Sequence, residues 1–282
     1  GVVCLARTTF DFEAAAAIYK GIIEDTKKLG DVCWDLTADL IFEPDQAAAA
    51  AKQLAAKGAD AVAVISGTFH LGHLALIIHK YVDKPMLLWG LNELPYNGGK
   101  IRLNSVCGVN LNASNLYKSG DDRYVCHIGP HIDEDWVNAV KMTAAIRGAK
   151  VGLAGYRADG FFNLSVSDTY LFEKTGLLVD HYELKDLFEC PEEDRTGIPE
   201  SDIQDIFDCS QISSDQLTKV SRLSSAMESF FMQKGLDALA VRCWPEFAQS
   251  FGISPCAAMS LLNAKGYTVG CEGDIEGTAS ML

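Results

Sequence analysis

Short apolar runs alternate with helix-length amphipathic segments along this chain of 282 residues. Val, Ile, Leu and Ala dominate the runs, which is typical of strands that are buried on both faces of a parallel sheet. The predicted strands are 2–6, 32–40, 61–65, 85–89, 101–106, 124–128, 150–155, 177–182, 236–243 and 267–270. Strands that alternate with helices at this spacing predict parallel sheets with right-handed crossovers, so we expect an α/β fold.

Capping and stop signals predict helices in the segments between these strands. The helices are expected at 12–28, 43–57, 71–81, 110–117, 133–147, 216–234 and 256–264, with a last one from Ile275. The strand at Lys150 begins a second series of alternating strands and helices, like the series that begins at residue 2. This places a domain boundary near Gly148. We therefore expect two consecutive doubly wound domains of the Rossmann or flavodoxin type, at 1–147 and 148–282.

Composition and charge exclude several classes of protein. The mixture of 48% hydrophobic and 22% charged residues is that of a globular chain. A formal net charge of −14 argues against a nucleic acid or an anionic membrane as partner, because clustered Lys and Arg drive phosphate binding. No apolar run reaches the length of a membrane span, and no leader is visible at Gly1.

The cysteines indicate a reducing compartment. Their number, nine, is odd, and Cys4, Cys126 and Cys243 lie in apolar strand patterns. We therefore expect buried free thiols in a cytoplasmic protein rather than a disulfide framework. No pair has the close spacing of a zinc ribbon.

Acidic side chains follow two predicted strands near the end of the chain. A Trp-Pro pair ends the strand 236–243 and puts Glu246 on the loop at its carboxyl end. The strand 267–270 leads directly to Glu272 and to Asp274, which is placed to cap a helix. Ligands of open α/β sheets bind at this carboxyl edge.

Each of these acids alone is best interpreted as a helix cap or a solvated loop residue. Three carboxylates on adjacent strand ends repel one another unless a cation or a proton lies between them. Oxygen-only ligation suits Mn²⁺ or Mg²⁺ rather than zinc. We expect Glu246 and Asp274 to lie close enough for one ion to bridge them.

Two motifs carry a resemblance to a known family. The segments 242–246 (Arg-Cys-Trp-Pro-Glu) and 271–274 (Cys-Glu-Gly-Asp) resemble motifs of the L-fucose isomerase and L-arabinose isomerase superfamily. The resemblance implies a Mn²⁺-dependent aldose–ketose isomerase that moves a proton between C1 and C2 through a cis-enediol. It implies Glu246 and Asp274 as metal ligands and acid/base groups, and Glu272 as a further ligand.

The same resemblance implies a third kind of ligand, a His from a later domain. The 282 residues do not include that domain, so we expect little isomerase activity from them alone. Arg7, Phe69 and His70 follow strands of the first sheet, and in the family this edge reaches the active site of a neighbouring subunit of a trimer or hexamer. These three residues and Trp244 are candidate sugar contacts, although a surface ion pair is an equal interpretation of Arg7.

Other interpretations remain open at the level of sequence. His70, His73 and His79 suggest a metal site, but surface or interface histidines fit their pattern better. Two α/β domains around a cleft also describe sugar-binding receptors that need no metal. A truncated or regulatory relative that binds sugar without turnover is a further alternative.

Overall fold

The chain forms two compact α/β units, Gly1–Met142 and Thr143–Leu282. The structure is a computed structural model that describes residues 1–99, 101–190 and 198–282. Each unit holds a four-stranded sheet in which every pair of neighbouring strands is parallel. The predicted fold class, α/β with two parallel sheets, is therefore confirmed.

In the first unit the sheet order is β1-β2-β3-β4. The strands are β1 (Val2–Leu5), β2 (Val62–Ser66), β3 (Met86–Gly90) and β4 (Tyr124–Ile128). The helices are α1 (Phe12–Thr26), α2 (Pro44–Ala56), α3 (His73–Val82) and α4 (Ser105–Ser119), and α5 (Glu134–Gly148) begins in this unit and ends in the next. Alternate strand residues face opposite sides, so that Val3 and Leu5 join the core under α2, α3 and α4, whereas Val2 and Cys4 join the core under α1.

Two strand predictions for this unit are wrong. The segment 32–40 pairs with β1 at a single isolated parallel bridge, Leu36 to Val2, and Ile41, just after it, makes a second with Leu5, because the residues between the two bridges do not pair. The segment 101–106 is not a strand either. The carboxylate of Glu93 accepts the backbone N–H groups of Leu103 and Asn104, and α4 begins directly afterwards.

One burial prediction also fails here. Cys4 is buried, as expected, but Cys126 is exposed, because β4 is the last strand of its sheet. An apolar run in the sequence does not distinguish an edge strand from a central one.

In the second unit the order is β6-β5-β7-β8. The strands are β5 (Lys150–Ala154), β6 (Leu178–Tyr182), β7 (Ala238–Val241) and β8 (Thr268–Gly270). A 3₁₀ turn (Phe162–Leu164) and α6 (Asp168–Thr175), α7 (Leu184–Phe188), α8 (Glu200–Ile206), α9 (Ser214–Lys234), α10 (Glu246–Ser250), α11 (Cys256–Ala264) and α12 (Ile275–Met281) complete it. Of these helices, α9, α11 and α12 follow the predicted pattern closely. None of the described helices is both long and apolar enough to cross a membrane.

Both sheets contain a point where the strand order reverses. In the second unit the chain leaves β5 to form β6 on one side and returns to form β7 on the other. In the first unit, the segment that bridges to β1 through Leu36 and Ile41 (the bridging segment) lies on one side of β1, and β2 lies on the other. Crevices for ligands form at such reversals, outside the carboxyl ends of the strands. The topology thus selects the loops after β5 and β7, and those after β1 and β2.

The last strand of the second sheet is held by a side chain on its open edge. Asn263, on α11, donates to Val269 O at 2.9 Å and accepts from Val269 N at 3.1 Å, so its amide takes the place of a further strand. The Asn263 amide also donates a third hydrogen bond, of 2.9 Å, to Met259 O on its own helix, which fixes its orientation. An edge that is satisfied in this way does not present free backbone groups for pairing with another chain.

We predict that Asn263→Ala lowers the free energy of unfolding by about 1–3 kcal/mol, since it leaves a strand N–H and C=O without their partner. The matched control is Asn138→Ala, an exposed position on α5, which is expected to change stability by less than about 0.5 kcal/mol. Denaturant unfolding of both variants measures the difference. Equal stability of the two would show that the amide does not hold β8.

Candidate functional site

Three loops meet at the carboxyl edge of the second sheet, after β5, β7 and β8. Backbone hydrogen bonds join them: Arg242 N donates to Ala154 O at 2.9 Å, and Gly273 N donates to Val241 O at 3.0 Å. A third bond runs from Ala158 N to Glu272 O at 3.2 Å. The side chains on these loops are therefore positioned by the sheet itself.

Gly273 allows the loops after β5 and β8 to approach closely. Its φ is +73°, and a Cβ at this position would overlap the carbonyl oxygen of Tyr156 and lie 2.8 Å from Arg157 Cα. Two non-glycine residues at the same contact, Tyr156 and Glu272, have φ of 62° and 60°. Left-handed backbone at non-glycine residues is uncommon and concentrates at functional sites.

Glu246 lies at this edge, as predicted, but it begins the short helix α10 instead of standing on a free loop. One of its oxygens accepts from the Arg242 guanidinium at 2.6 Å. The other, Oε2, is buried and has no hydrogen-bond partner among the described residues. The preceding Trp244–Pro245 peptide bond is cis.

Asp274 caps α12, as the sequence predicts. Its Oδ1 accepts the N–H of Gly277 at 2.8 Å, which holds the half-buried carboxylate at the first turn of the helix. Asparagine would cap the helix equally well, so the capping role alone does not require the negative charge.

Glu272 lies beside two thiols. The ligand atoms of Cys243, Cys271 and Glu272 are all within 4.8 Å of one another. Burial, followed by hydrogen bonding to Cys271 and Glu272, raises the pKa of the Cys243 thiol to about 12. Burial also raises the pKa of Cys271. Glu272 Oε2 is buried and lacks a hydrogen-bond partner in the described part of the chain.

The donor atoms at this edge fit a hard divalent cation. Glu246 and Glu272 each offer a buried carboxylate oxygen that no described group satisfies, and buried anionic oxygens of this kind require a proton or a cation. Glu246, Glu272 and Asp274 do not appear as one cluster within 4.8 Å among the residues described. Their joint coordination of an ion stays a prediction.

Aromatic side chains surround the same edge. Trp244 is 63% exposed and Tyr156 is 50% exposed, so both present ring faces to solvent. The Arg157 guanidinium lies over the rings of Tyr156 and Phe162, at 5.5 and 5.2 Å from their centroids. Hydrogen bonding to Ser165 and then to Arg157 lowers the pKa of Tyr156. Exposed aromatic faces beside polar groups are suited to binding the apolar face of a sugar ring.

In the first unit, the three predicted sugar contacts differ in accessibility. Arg7 is exposed at the end of β1 and has no ion-pair partner among the described residues. Phe69 is half-buried, with its ring centroid 5.8 Å from that of Phe10. His70 is fully buried, so Arg7 and Phe69 are the residues that offer surface to a ligand.

His70 belongs to a polar network inside the first unit. Its Nε2 is 3.1 Å from Ser66 Oγ and 3.3 Å from Asn112 Nδ2, and its Nδ1 is 3.2 Å from Leu71 O. Donation from Nδ1 to the carbonyl leaves Nε2 as the acceptor for the other two groups. Burial lowers the pKa of His70 to about 4, so the ring is neutral at physiological pH.

A second cluster of possible metal ligands, His79, Asp83 and Asp121, lies at the edge of the first unit. His79 Nε2 is 3.1 Å from Asp121, and the Arg123 guanidinium bonds to both aspartates. The guanidinium already supplies the positive charge that a metal would bring. This cluster is therefore an ion-pair network.

Sequence reasoning missed several residues of the second edge. Cys243 and Cys271 lie 28 positions apart, and only the pairing of β7 with β8 brings their thiols together. Tyr156 and Arg157 carry no motif, although their position directly after β5 could have indicated them.

We predict that Gly273→Ala destabilises the second unit by about 2–4 kcal/mol, since the left-handed backbone costs an alanine about 1–2 kcal/mol and the overlap adds a packing cost. Gly266→Ala is the matched control: its φ is +92° and a Cβ there meets nothing within 4 Å. The difference between the Tm values of the two variants, measured by calorimetry, gives the cost of the steric overlap. Equal shifts in Tm would contradict the close approach.

Comparison with known proteins identifies relatives of the chain. A family model described as "Fucose/sulfoquinovose isomerase, N-terminal domain" matches residues 1–146. The sulfoquinovose isomerases of Priestia aryabhattai and Priestia megaterium are each 28% identical over 299 aligned positions, which cover 99% of this chain and 64% of the relative. That of a Clostridium species is 26% identical over 215 positions, which cover 70% of this chain and 46% of the relative.

The chain thus spans 64% of the length of the Priestia proteins that it matches. Among solved structures, an ABC transporter solute-binding protein from Conexibacter woesei gives a TM-score of 0.22 at 13% identity, covering 99% of this chain and 72% of that one, and this carries no inference. The family model covers more than half of the 282 residues, and the resemblance seen in the sequence is confirmed. The chain belongs to the fucose/sulfoquinovose isomerase family.

Proposed function

We propose that this chain supplies the carboxylates of a metal-dependent aldose–ketose isomerase, which moves a proton between C1 and C2 of an open-chain sugar through a cis-enediol. The observation that carries the proposal is a pair of buried carboxylate oxygens, on Glu246 and Glu272, that have no hydrogen-bond partner among the described residues and lie at the carboxyl edge of the second sheet. Glu246 follows β7, which lies at the point where the strand order reverses, and Glu272 follows the neighbouring strand β8. Family membership supports the same reaction class.

Glu246, Glu272 and Asp274 would hold the ion, and their oxygens favour Mn²⁺ or Mg²⁺. When bound, such an ion polarises the sugar carbonyl and stabilises negative charge on the oxygens of the enediol. A His from outside these residues would complete the ligand set, as the resemblance implies. With fewer ligands the ion keeps more of its water, so we propose weak binding and little turnover by the 282 residues alone.

The surrounding groups fix the two acid/base candidates. Arg242 holds one oxygen of Glu246 at 2.6 Å and leaves the other free to take a proton. Asp274 is held by the N–H of Gly277 at 2.8 Å. Each carboxylate is thereby oriented through one oxygen, and the other oxygen would carry the proton that general acid–base catalysis transfers.

The substrate that we propose is an aldose of the kind on which this family acts, with sulfoquinovose as the first candidate because the relatives bear its name. Sulfoquinovose carries an anionic sulfonate, and Arg157 and Arg242 are the cationic side chains at this edge. A planar guanidinium binds such an oxyanion in a bidentate manner. Trp244 would pack against the sugar ring.

Arg7 and Phe69 extend this proposal to the first unit. Both lie at its carboxyl edge, beside the reversal of strand order between the bridging segment and β2. We propose that in a cytoplasmic homo-oligomer this edge contributes to the sugar site of a neighbouring subunit. His70 would act there through the backbone that it fixes and not by direct contact.

The test compares Glu246→Gln, Asp274→Asn and the control Glu276→Gln, which alters an exposed acid on the same helix as Asp274. Asp274→Asn retains a cap, so its effect reports the charge. We expect both site variants to weaken Mn²⁺ binding by the chain, measured by paramagnetic resonance of free Mn²⁺. In a catalytically active form of the protein we expect each to lower kcat/KM about 100-fold or more, the scale of general acid–base catalysis.

Turnover is measured as ketose formation from sulfoquinovose, L-fucose and L-arabinose, with and without a chelator. Full activity after exhaustive chelation, or undiminished turnover in either site variant, would contradict the proposal. Sugar binding that persists without metal and without ketose formation would instead support a non-catalytic sugar-binding protein.

A further inference from the structure

A cluster of softer ligands lies directly beside the proposed oxygen site. It consists of Cys243, Cys271 and Glu272, whose ligand atoms are within 4.8 Å of one another. We propose that these three side chains form a binding site for a thiophilic divalent cation of the zinc class. This proposal rests on the geometry of the cluster and does not require the isomerase assignment.

The positions of the two thiols are determined by the sheet. Cys271 follows β8 directly and Cys243 follows β7 by two residues, and these strands pair in parallel with Ala240 opposite Gly270. The bond of 3.0 Å from Gly273 N to Val241 O continues the pairing beyond the strand ends. The thiols therefore lie close together because hydrogen bonds hold their backbones side by side. Folding has already ordered these side chains, so metal binding loses less conformational entropy.

The separation of the three groups is compatible with one ion. Zinc binds sulfur at about 2.3 Å and carboxylate oxygen at about 2.0–2.2 Å in a tetrahedron, which sets neighbouring ligand atoms about 3.3–3.8 Å apart. Ligand atoms within 4.8 Å reach that arrangement through small side-chain rotations. Thiolates select zinc-class ions over Mn²⁺ and Mg²⁺, whereas the neighbouring carboxylates have the opposite preference.

The third ligand has an unused donor atom. Glu272 Oε2 is buried and has no hydrogen-bond partner among the described residues. Cys271 is partly exposed, which gives an ion a path into the cluster, whereas Cys243 is only 8% exposed. Three protein ligands leave a fourth position for water, so the ion should be removable by chelators.

Glu272 belongs both to this cluster and to the proposed oxygen site, so the two sites would compete for it. A zinc-class ion that takes Glu272 withdraws it from a hard ion held by Glu246 and Asp274. We therefore expect micromolar Zn²⁺ to displace or weaken bound Mn²⁺, and a chelator followed by excess Mn²⁺ to restore binding. This part depends on the proposed function, and the formation of the thiolate complex does not.

The primary test uses Co²⁺ as a spectroscopic substitute for zinc, with the 282-residue chain kept reduced by a phosphine. We expect one equivalent of Co²⁺ to produce a sulfur-to-cobalt charge-transfer band in the near ultraviolet, and Zn²⁺ to abolish the band. Cys271→Ser should lower the affinity by more than about 100-fold, and Glu272→Gln should weaken binding without removing the band. Cys209→Ser, which alters a thiol of similar burial elsewhere in the second unit, should bind as the parent does.

A second measurement covers the case in which Cys271→Ser fails to fold. In the parent chain, Zn²⁺ should slow alkylation of Cys271 relative to Cys209, a thiol of similar burial in the same unit, as measured by peptide mass spectrometry. A parent chain without the charge-transfer band, or with Cys271 unprotected by Zn²⁺, would overturn the proposal. If the band is absent and Mn²⁺ binds normally, the thiolate site is overturned and the isomerase proposal stands. If the band is normal and Mn²⁺ does not bind, only the isomerase proposal is affected.

Discussion

Gly273 meets the backbone of Tyr156 and Arg157 with no side chain between them, and the arrangement of the second unit's ligand edge depends on that contact. It closes the loop after β8 onto the loop after β5, across the loop after β7. The same turn places Glu272 on one side of Gly273 and Asp274 on the other. A bulkier residue would separate the loops and with them the side chains that they carry.

Electrostatics explain how a chain with a formal charge of −14 can carry three carboxylates along one edge of a sheet. Arg242 balances Glu246, and the first turn of α12 satisfies one oxygen of Asp274. Glu272 is different, because its partly buried carboxylate has thiols as neighbours, and one of its oxygens has no hydrogen-bond partner within the described part of the chain. It is therefore the residue at which oxygen ligands and sulfur ligands would compete for cations of different softness.

The fold could be predicted largely from the sequence because buried parallel strands leave a strong local signal. The signal failed at 32–40 and at Cys126, where burial depends on position in the sheet and not on local residue type. The helix cap at Asp274 was predictable from its own residues. The Arg242–Glu246 pair and the contact between Cys243 and Cys271 were not, because strand pairing and side-chain rotamers determine them.

We propose that a divalent cation binds at the carboxyl edge of the second sheet. Crystals of the chain soaked with Mn²⁺, measured at a wavelength where manganese scatters anomalously, test it most directly. We expect an anomalous peak about 2.2 Å from carboxylate oxygens of Glu246 and Asp274. A strong peak at His79 and Asp121, or none at this edge with Mn²⁺ in large excess, would contradict it.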